Sequence, residues 1–166
     1  MKRSHRRAVL IIGFAAGLVV LAPLARLFFQ GGAGAGAPSQ RLWNAIVDVE
    51  SDGNPRAFNP HSGATGIAQI RTVCLTDCNR ISRHRGDGRE FASADRLRPG
   101  KSCEMWRSYL TFYGRQYQRK TGRTPTDEVY ARIWNGGPDG WRRASTLSYW
   151  RQVQAALQAD SPLNER

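Results

Sequence analysis

The sequence has few acidic side chains for its length. It contains 13 Asp and Glu against 25 Lys and Arg in 166 residues, which gives a formal charge of +12 at pH 7. A basic chain favours a polyanionic partner, such as a nucleic acid, an anionic cell wall or a membrane surface. The sequence lacks a recognisable DNA-binding or RNA-binding motif, and this absence argues against a nucleic acid.

The N-terminal segment has no acid at all. Met1–Arg7 carries four basic residues, and Ala8–Ala25 is uncharged and largely apolar. This order is typical of a secretory signal peptide or a short membrane anchor, and it directs the rest of the chain out of the cytoplasm. A buried core helix is the alternative. We predict a signal peptide or membrane anchor over residues 1–30, a Gly/Ala-rich linker over residues 31–38 and an exported, extracytoplasmic (periplasmic) domain over residues 39–160. Export also argues against nucleic acid as a partner.

The sequence also lacks a convincing β-strand pattern, because no segment alternates apolar and polar residues. Apolar residues instead recur at helical spacing, which predicts a mostly helical domain. The segment between residues 83 and 100 is polar and predicts an irregular loop. The helices are predicted to begin near Ser39, Arg71, Lys101, Thr124 and Ser148.

The first predicted helix ends on a carboxyl group. Glu50 lies one helical turn after Val47 and two turns after Trp43, and Gly53 ends the helix. The helix dipole and partial burial both disfavour the charged form of a carboxyl group at this position. A carboxylic acid that keeps its proton near neutral pH can serve as a general acid. A solvated surface Glu is the alternative interpretation.

Three segments in fixed order resemble the lysozyme-like superfamily: Val49-Glu-Ser51, Gly66-Ile-Ala-Gln-Ile70 and Ala131-Arg-Ile-Trp-Asn-Gly-Gly-Pro138. The first two resemble soluble lytic transglycosylases (SLT). The third, together with Ser145-Thr-Leu-Ser-Tyr-Trp150 and the Asp77-Cys78 pair, is more similar to invertebrate-type lysozymes. The resemblance spans about residues 40–157 and implies an SLT-type, lysozyme-like helical fold.

The resemblance also implies roles for individual residues. Glu50 is the expected catalytic acid, and Ser51, Gln69, Tyr130 and Asn135 are the expected substrate-binding residues. Each of the four has a structural alternative: Ser51 could cap the helix, Gln69 could fix a loop, Asn135 could form a turn and Tyr130 could lie in the core.

The absence of an acid from Phe58–Gln69 bears on the chemistry. Invertebrate-type lysozymes carry an Asp in this loop, whereas lytic transglycosylases work with one Glu and the N-acetyl group of the substrate. The resemblance therefore implies a peptidoglycan lytic transglycosylase that cleaves the MurNAc-GlcNAc β-1,4 bond and leaves 1,6-anhydroMurNAc ends. A hydrolytic lysozyme of the invertebrate-like type and a catalytically inactive wall-binding domain are the alternatives.

The three cysteines allow one disulfide. Cys74 and Cys78 are four residues apart on one helix and pair poorly with each other, so Cys103 is expected to bridge to one of them. The resemblance of Cys78 to invertebrate-type lysozymes implies Cys78–Cys103. The Cys and His spacings match no familiar zinc site, so we expect no metal and no cofactor. The expected partners are peptidoglycan glycan strands and, through the N-terminal segment, the membrane; we expect a monomer.

Overall fold

The structure is a computed structural model, and it describes residues 36–160. These residues belong to one unit of the chain, Ala33–Arg166. The predicted signal or anchor segment lies outside the described residues. Among residues 36–160, none of the helices combines the length and the apolar character that crossing a membrane requires.

Residues 36–160 form a helical domain with one small β-hairpin. Three short 3-10 helices, Ser93–Leu97, Gly140–Arg142 and Ala144–Thr146, connect the larger elements. The elements are, in chain order, α1 (Gln40–Ser51), β1 (Phe58–Asn59), β2 (Ala64–Thr65), α2 (Thr72–Arg85), α3 (Pro99–Thr121), α4 (Asp127–Gly136) and α5 (Leu147–Ala159).

The mostly helical fold class is confirmed, but two local predictions are wrong. The strands β1 and β2 pair antiparallel, with Phe58 opposite Thr65 and Asn59 opposite Ala64. Strands of two residues are too short to show an alternating pattern, so no periodic signal for them exists in the sequence. The predicted loop between residues 83 and 100 contains the end of α2, the 3-10 helix Ser93–Leu97 and the start of α3.

Helix α3 lies against both α2 and α4, while α5 packs on α1 and α4. Trp106 of α3 is fully buried, and its ring centroid lies 5.2 Å from that of Trp43 on α1. Helices α3 and α4 approach closely at Gly114, where an added Cβ would lie 2.6 Å from the ring of Tyr130. The absence of a side chain at Gly114 therefore makes room for the Tyr130 ring in the core.

Helix α1 has a defined beginning and end. The Ser39 hydroxyl accepts a hydrogen bond from the Leu42 N–H at 3.1 Å, as predicted for an N-cap. At the other end Asp52 adopts a left-handed conformation with φ of 52°, and its N–H donates to the Asp48 carbonyl. The chain turns away there, so Glu50 lies in the last turn of the helix.

Candidate active site

The end of α1 opens into a cleft of about 670 Å³. Its walls come from the hairpin, the loop after the hairpin, α2, one residue of α3, and the end of α4 with the loop that follows it. Glu50, Gln69 and Asn135, which are distant in the sequence, are among the lining residues. The lining also includes Asn59, Ser62, Arg71, Cys74, Asp77, Arg80, Tyr109 and Trp134.

Glu50 is partly buried, and its carboxyl group is hydrogen-bonded. The Tyr149 hydroxyl donates to Glu50 Oε1 at 2.8 Å. Burial raises the pKa of Glu50 from 4.5 to about 7, although hydrogen bonds from Tyr149 and Trp134 and the positive charge of Arg71 act in the opposite direction. Because burial outweighs these three effects, the side chain exchanges a proton near neutral pH.

The loop that carries Gln69 is held in a constrained conformation. Gln69 has a φ of 48°, which is uncommon for a residue with a side chain, and its Nε2 donates to the Gly66 carbonyl at 3.0 Å. Gly66 has a φ of 79°, and a Cβ there would lie 1.8 Å from the Arg96 carbonyl oxygen. Gln69 thus both lines the cleft and fixes its loop.

Ser51 supports this loop and does not line the cleft. Its hydroxyl donates to the Ile67 carbonyl at 2.7 Å and so joins the end of α1 to the Gly66–Ile70 loop. A substrate-binding role for Ser51 therefore stays a prediction, and the contact that the structure shows is the one to Ile67. This hydrogen bond holds the segment that follows Glu50 against the segment that carries Gln69.

Tyr130 is also a core residue, in agreement with the structural alternative for it. The side chain is 3% exposed, its ring packs on Gly114, and its hydroxyl donates to the Gly36 carbonyl. Tyr130 is not among the residues that line the cleft. Helix α4 directs this side chain towards α3, and a substrate-binding role for Tyr130 stays a prediction.

Tyr149 is a hydrogen-bond partner of Glu50 that the sequence analysis missed. It is 9% exposed and lies on α5, whose apolar spacing assigns it to the core. Burial, followed by the charge of Glu50 and the hydrogen bond to it, raises the pKa of the Tyr149 hydroxyl, which therefore stays a donor. Its position in the Ser145–Trp150 segment was the available signal, because that segment carries part of the family resemblance.

Asp77 is the other carboxylate among the described residues that line the cleft. Arg80 forms an ion pair with it at 2.6 Å, and the Tyr113 hydroxyl donates to its second oxygen. The hairpin side of the cleft presents Asn59, whose Oδ1 accepts from the backbone N–H groups of His61 and Ser62 at 3.0 and 3.3 Å. The hairpin therefore offers neutral groups, as the absence of acids from its sequence predicts.

The cysteines differ from the predicted pairing. Cys74, Cys78 and Cys103 are free thiols, so the predicted Cys78–Cys103 disulfide is not formed in this structure. Cys78 is buried beside Cys74 and hydrogen-bonds to the Met105 carbonyl at 3.5 Å, so it faces the core. The hydrogen bond with Cys78, followed by burial, raises the pKa of Cys74. Cys74 lines the cleft, but the raised pKa disfavours its nucleophilic thiolate form.

Within residues 36–160, no three His, Cys, Asp or Glu side chains are grouped to hold a metal ion.

Known proteins resemble the chain over about two thirds of its length or more. It is 33% identical over 118 residues to a lysozyme of Magallana gigas, covering 69% of this chain and 77% of that one. It is 31% identical over 114 residues to invertebrate-type lysozyme 6 of Caenorhabditis elegans, covering 66% of this chain and 80% of that one. The chain belongs to the invertebrate-type lysozyme family. The chain also matches lysozyme 1 of Crassostrea virginica at 33% identity over 122 residues, 72% of this chain, but spans only 60% of that relative's length.

Solved structures of lysozymes support the lysozyme-like fold. A lysozyme of Meretrix lusoria, crystallised in complex with Aeromonas hydrophila PliI, matches with a TM-score of 0.58 and 25% identity, over 73% of this chain and 93% of that one. The Tapes japonica lysozyme matches with a TM-score of 0.56 and 25% identity, over 72% and 93%. No family model matches the sequence. These comparisons support the invertebrate-type part of the sequence resemblance and do not show the transglycosylase part.

Proposed function

We propose that this invertebrate-type lysozyme is a muramidase, which hydrolyses the β-1,4 bond between N-acetylmuramic acid and N-acetylglucosamine in peptidoglycan. The observation that carries the proposal is the Glu50 carboxyl group, which has a pKa of about 7 in an open cleft and accepts a hydrogen bond from Tyr149. Such a group can donate a proton to a leaving oxygen and later take one from water. The names of the relatives support hydrolysis over transglycosylation.

In the proposed first step, protonated Glu50 donates its proton to the glycosidic oxygen as the bond from that oxygen to C1 of N-acetylmuramic acid breaks. The carbonyl oxygen of the substrate's own N-acetyl group stabilises the positive charge that develops at C1. In the second step the Glu50 carboxylate takes a proton from a water molecule that attacks C1. Substrate assistance of this kind needs one carboxylate from the protein.

The other polar groups of the cleft favour this one-carboxylate chemistry. Asn59 and Ser62 on the hairpin are neutral, and Asp77 is paired with Arg80. Neither the hairpin nor α2 therefore offers the cleft a free carboxylate that could act as a nucleophile. Gln69 and Asn135 supply amide groups that are suited to hydrogen-bonding sugar hydroxyl and N-acetyl groups.

Lytic transglycosylation is the second candidate, and the neutral hairpin is the observation that favours it. The first step is the same, but the 6-hydroxyl of the muramic residue attacks C1 in place of water, and Glu50 takes its proton. The product is then a 1,6-anhydro end.

We further propose that the protein acts outside the cytoplasm, where the predicted N-terminal segment would export or anchor it.

Digestion of purified peptidoglycan, followed by mass spectrometry of the fragments, tests the proposal. We expect reducing-end muropeptides with the unchanged protein and with Glu90→Gln, a control that removes an exposed carboxylate, and none with Glu50→Gln. Fragments lighter by one water, about 18 Da, would establish transglycosylation instead. Binding to peptidoglycan without any Glu50-dependent product would identify a wall-binding domain and refute both enzymatic proposals.

A further inference from the structure

Arg71 occupies an unusual place in the cleft. It is the N-cap residue of α2, it is exposed, and it lines the same cleft as Glu50. Within residues 36–160 its side chain makes no ion pair and no hydrogen bond, and it does not cap the helix. Its positive charge acts on the Glu50 carboxyl group and lowers the pKa of that group.

The stability of α2 does not account for this cation. The N-terminus of a helix carries a partial positive charge, so a positively charged side chain is unfavourable there, and the first turn of α2 contains no acid to offset it. The helix dipole and the Arg71 guanidinium instead add their positive potentials on the same side of the cleft. This arrangement attracts an anion.

The charges of the cleft leave Arg71 without a counterion. Of the residues that the structure describes, two arginines line the cleft, and Arg80 is held by Asp77 at 2.6 Å and by the Tyr113 hydroxyl at 3.0 Å. Glu50 is uncharged in the form that donates a proton. When Glu50 is protonated, as the first step requires, the cleft therefore has one uncompensated positive charge. A neutral glycan has no charged group to pair with it.

Peptidoglycan supplies the matching charge. Each muramic residue carries a lactyl group that ends in a carboxylate or continues into a peptide with carboxylates of its own, whereas a chain of N-acetylglucosamine alone is neutral. A guanidinium binds a carboxylate through two parallel hydrogen bonds. An anionic sugar can therefore gain an interaction at Arg71 that a neutral one cannot.

We propose that Arg71 binds the carboxylate carried by the muramic residue, either on its lactyl group or on the attached peptide, and so selects peptidoglycan over neutral chitin-type glycans. This inference rests on the proposed muramidase function, because it names the part of that substrate that the cleft recognises.

Arg71→Gln tests this inference on two substrates. We expect kcat/KM on peptidoglycan to fall about tenfold, the size of one charge-assisted contact, while kcat/KM on the neutral N-acetylglucosamine hexamer changes less than about twofold. Arg83→Gln is the matched control, because it removes an exposed arginine from the other end of α2, outside the cleft. Each variant is measured at its own pH optimum, because the loss of Arg71 also shifts the titration of Glu50. Equal losses on both substrates, or no loss on peptidoglycan, would overturn the inference.

Binding measurements keep this test independent of catalysis. In a Glu50→Gln background, calorimetry compares three ligands: the neutral N-acetylglucosamine tetramer, a peptide-free tetrasaccharide with muramic lactyl carboxylates, and the same tetrasaccharide with its peptides. We expect Arg71→Gln to weaken binding of one or both muramic ligands about tenfold and to leave the neutral tetramer unchanged. An effect with the peptide-free ligand identifies the lactyl carboxylate, and an effect only with the third ligand identifies the peptide. If the unchanged protein yields no product, the proposed function fails, while uniform affinities across the three ligands would refute the Arg71 inference itself.

Discussion

Replacing Glu50 with Gln should stabilise the protein above pH 7 while it removes the proposed activity. Gln has the shape of the protonated carboxylic acid, and its Oε1 can still accept the hydrogen bond from Tyr149. It does not ionise. The variant therefore isolates the free energy that is needed to ionise Glu50 in its partly buried position.

The pKa of Glu50 gives the size of this effect. The unfolded chain releases the proton near pH 4.5, but the folded protein keeps it until about pH 7. Between these values the folded state binds more protons, so the free energy of unfolding falls by about 1.4 kcal/mol for each unit of rising pH. Below pH 4.5 the ionisation of Glu50 does not reduce the free energy of unfolding. Above pH 7 it reduces the free energy of unfolding by about 3 kcal/mol.

Denaturant unfolding of the two proteins at pH values from 4 to 8 measures this difference. We expect equal stabilities near pH 4 and an advantage of about 3 kcal/mol for Glu50→Gln at pH 8. Glu90→Gln, which removes an exposed carboxylate, should follow the unchanged protein at every pH. A Glu50→Gln advantage that is absent or does not vary with pH would refute the reasoning, because it would mean that the cleft does not disfavour the charged form of Glu50.

Three further substitutions test the site. Tyr149→Phe removes a hydrogen bond that lowers the pKa of Glu50, so the alkaline limb of the pH profile of kcat/KM should shift to higher pH by about one unit. An alkaline limb at the same pH would argue against the hydrogen bond between Tyr149 and Glu50. Asn59→Asp keeps an oxygen for the backbone N–H groups of the hairpin and adds a second carboxylate to the cleft, so we expect reducing-end products to form faster when peptidoglycan digests are followed over time; a rate no faster than that of Asn59→Ala would contradict this. Tyr130→Phe should cost about 1 kcal/mol in the free energy of unfolding and leave kcat unchanged, because its hydroxyl bonds to the backbone away from the cleft; a large fall in kcat at full stability would return Tyr130 to the substrate-binding residues.

The sequence predicted the helices because long apolar patterns report burial directly. The Ser39 cap and the end of α1 just after Glu50 followed from local residue preferences. The hairpin did not follow, because two paired residues in each strand leave no periodic pattern. The position of Tyr130 also could not be settled, because an aromatic residue on an amphipathic helix can face the core or a neighbouring cleft.

The sequence by itself determined the helical fold class, the basic charge, a carboxyl group at the end of α1 and a neutral segment after it. These properties depend on residues close together along the chain. Only the tertiary structure decided that Tyr149, 99 residues after Glu50, donates to its carboxyl group, and that Gln69 and Asn135 line the same cleft. The pKa of Glu50 is a tertiary property for the same reason, because burial by distant segments raises it and hydrogen bonds from α4 and α5 limit the rise.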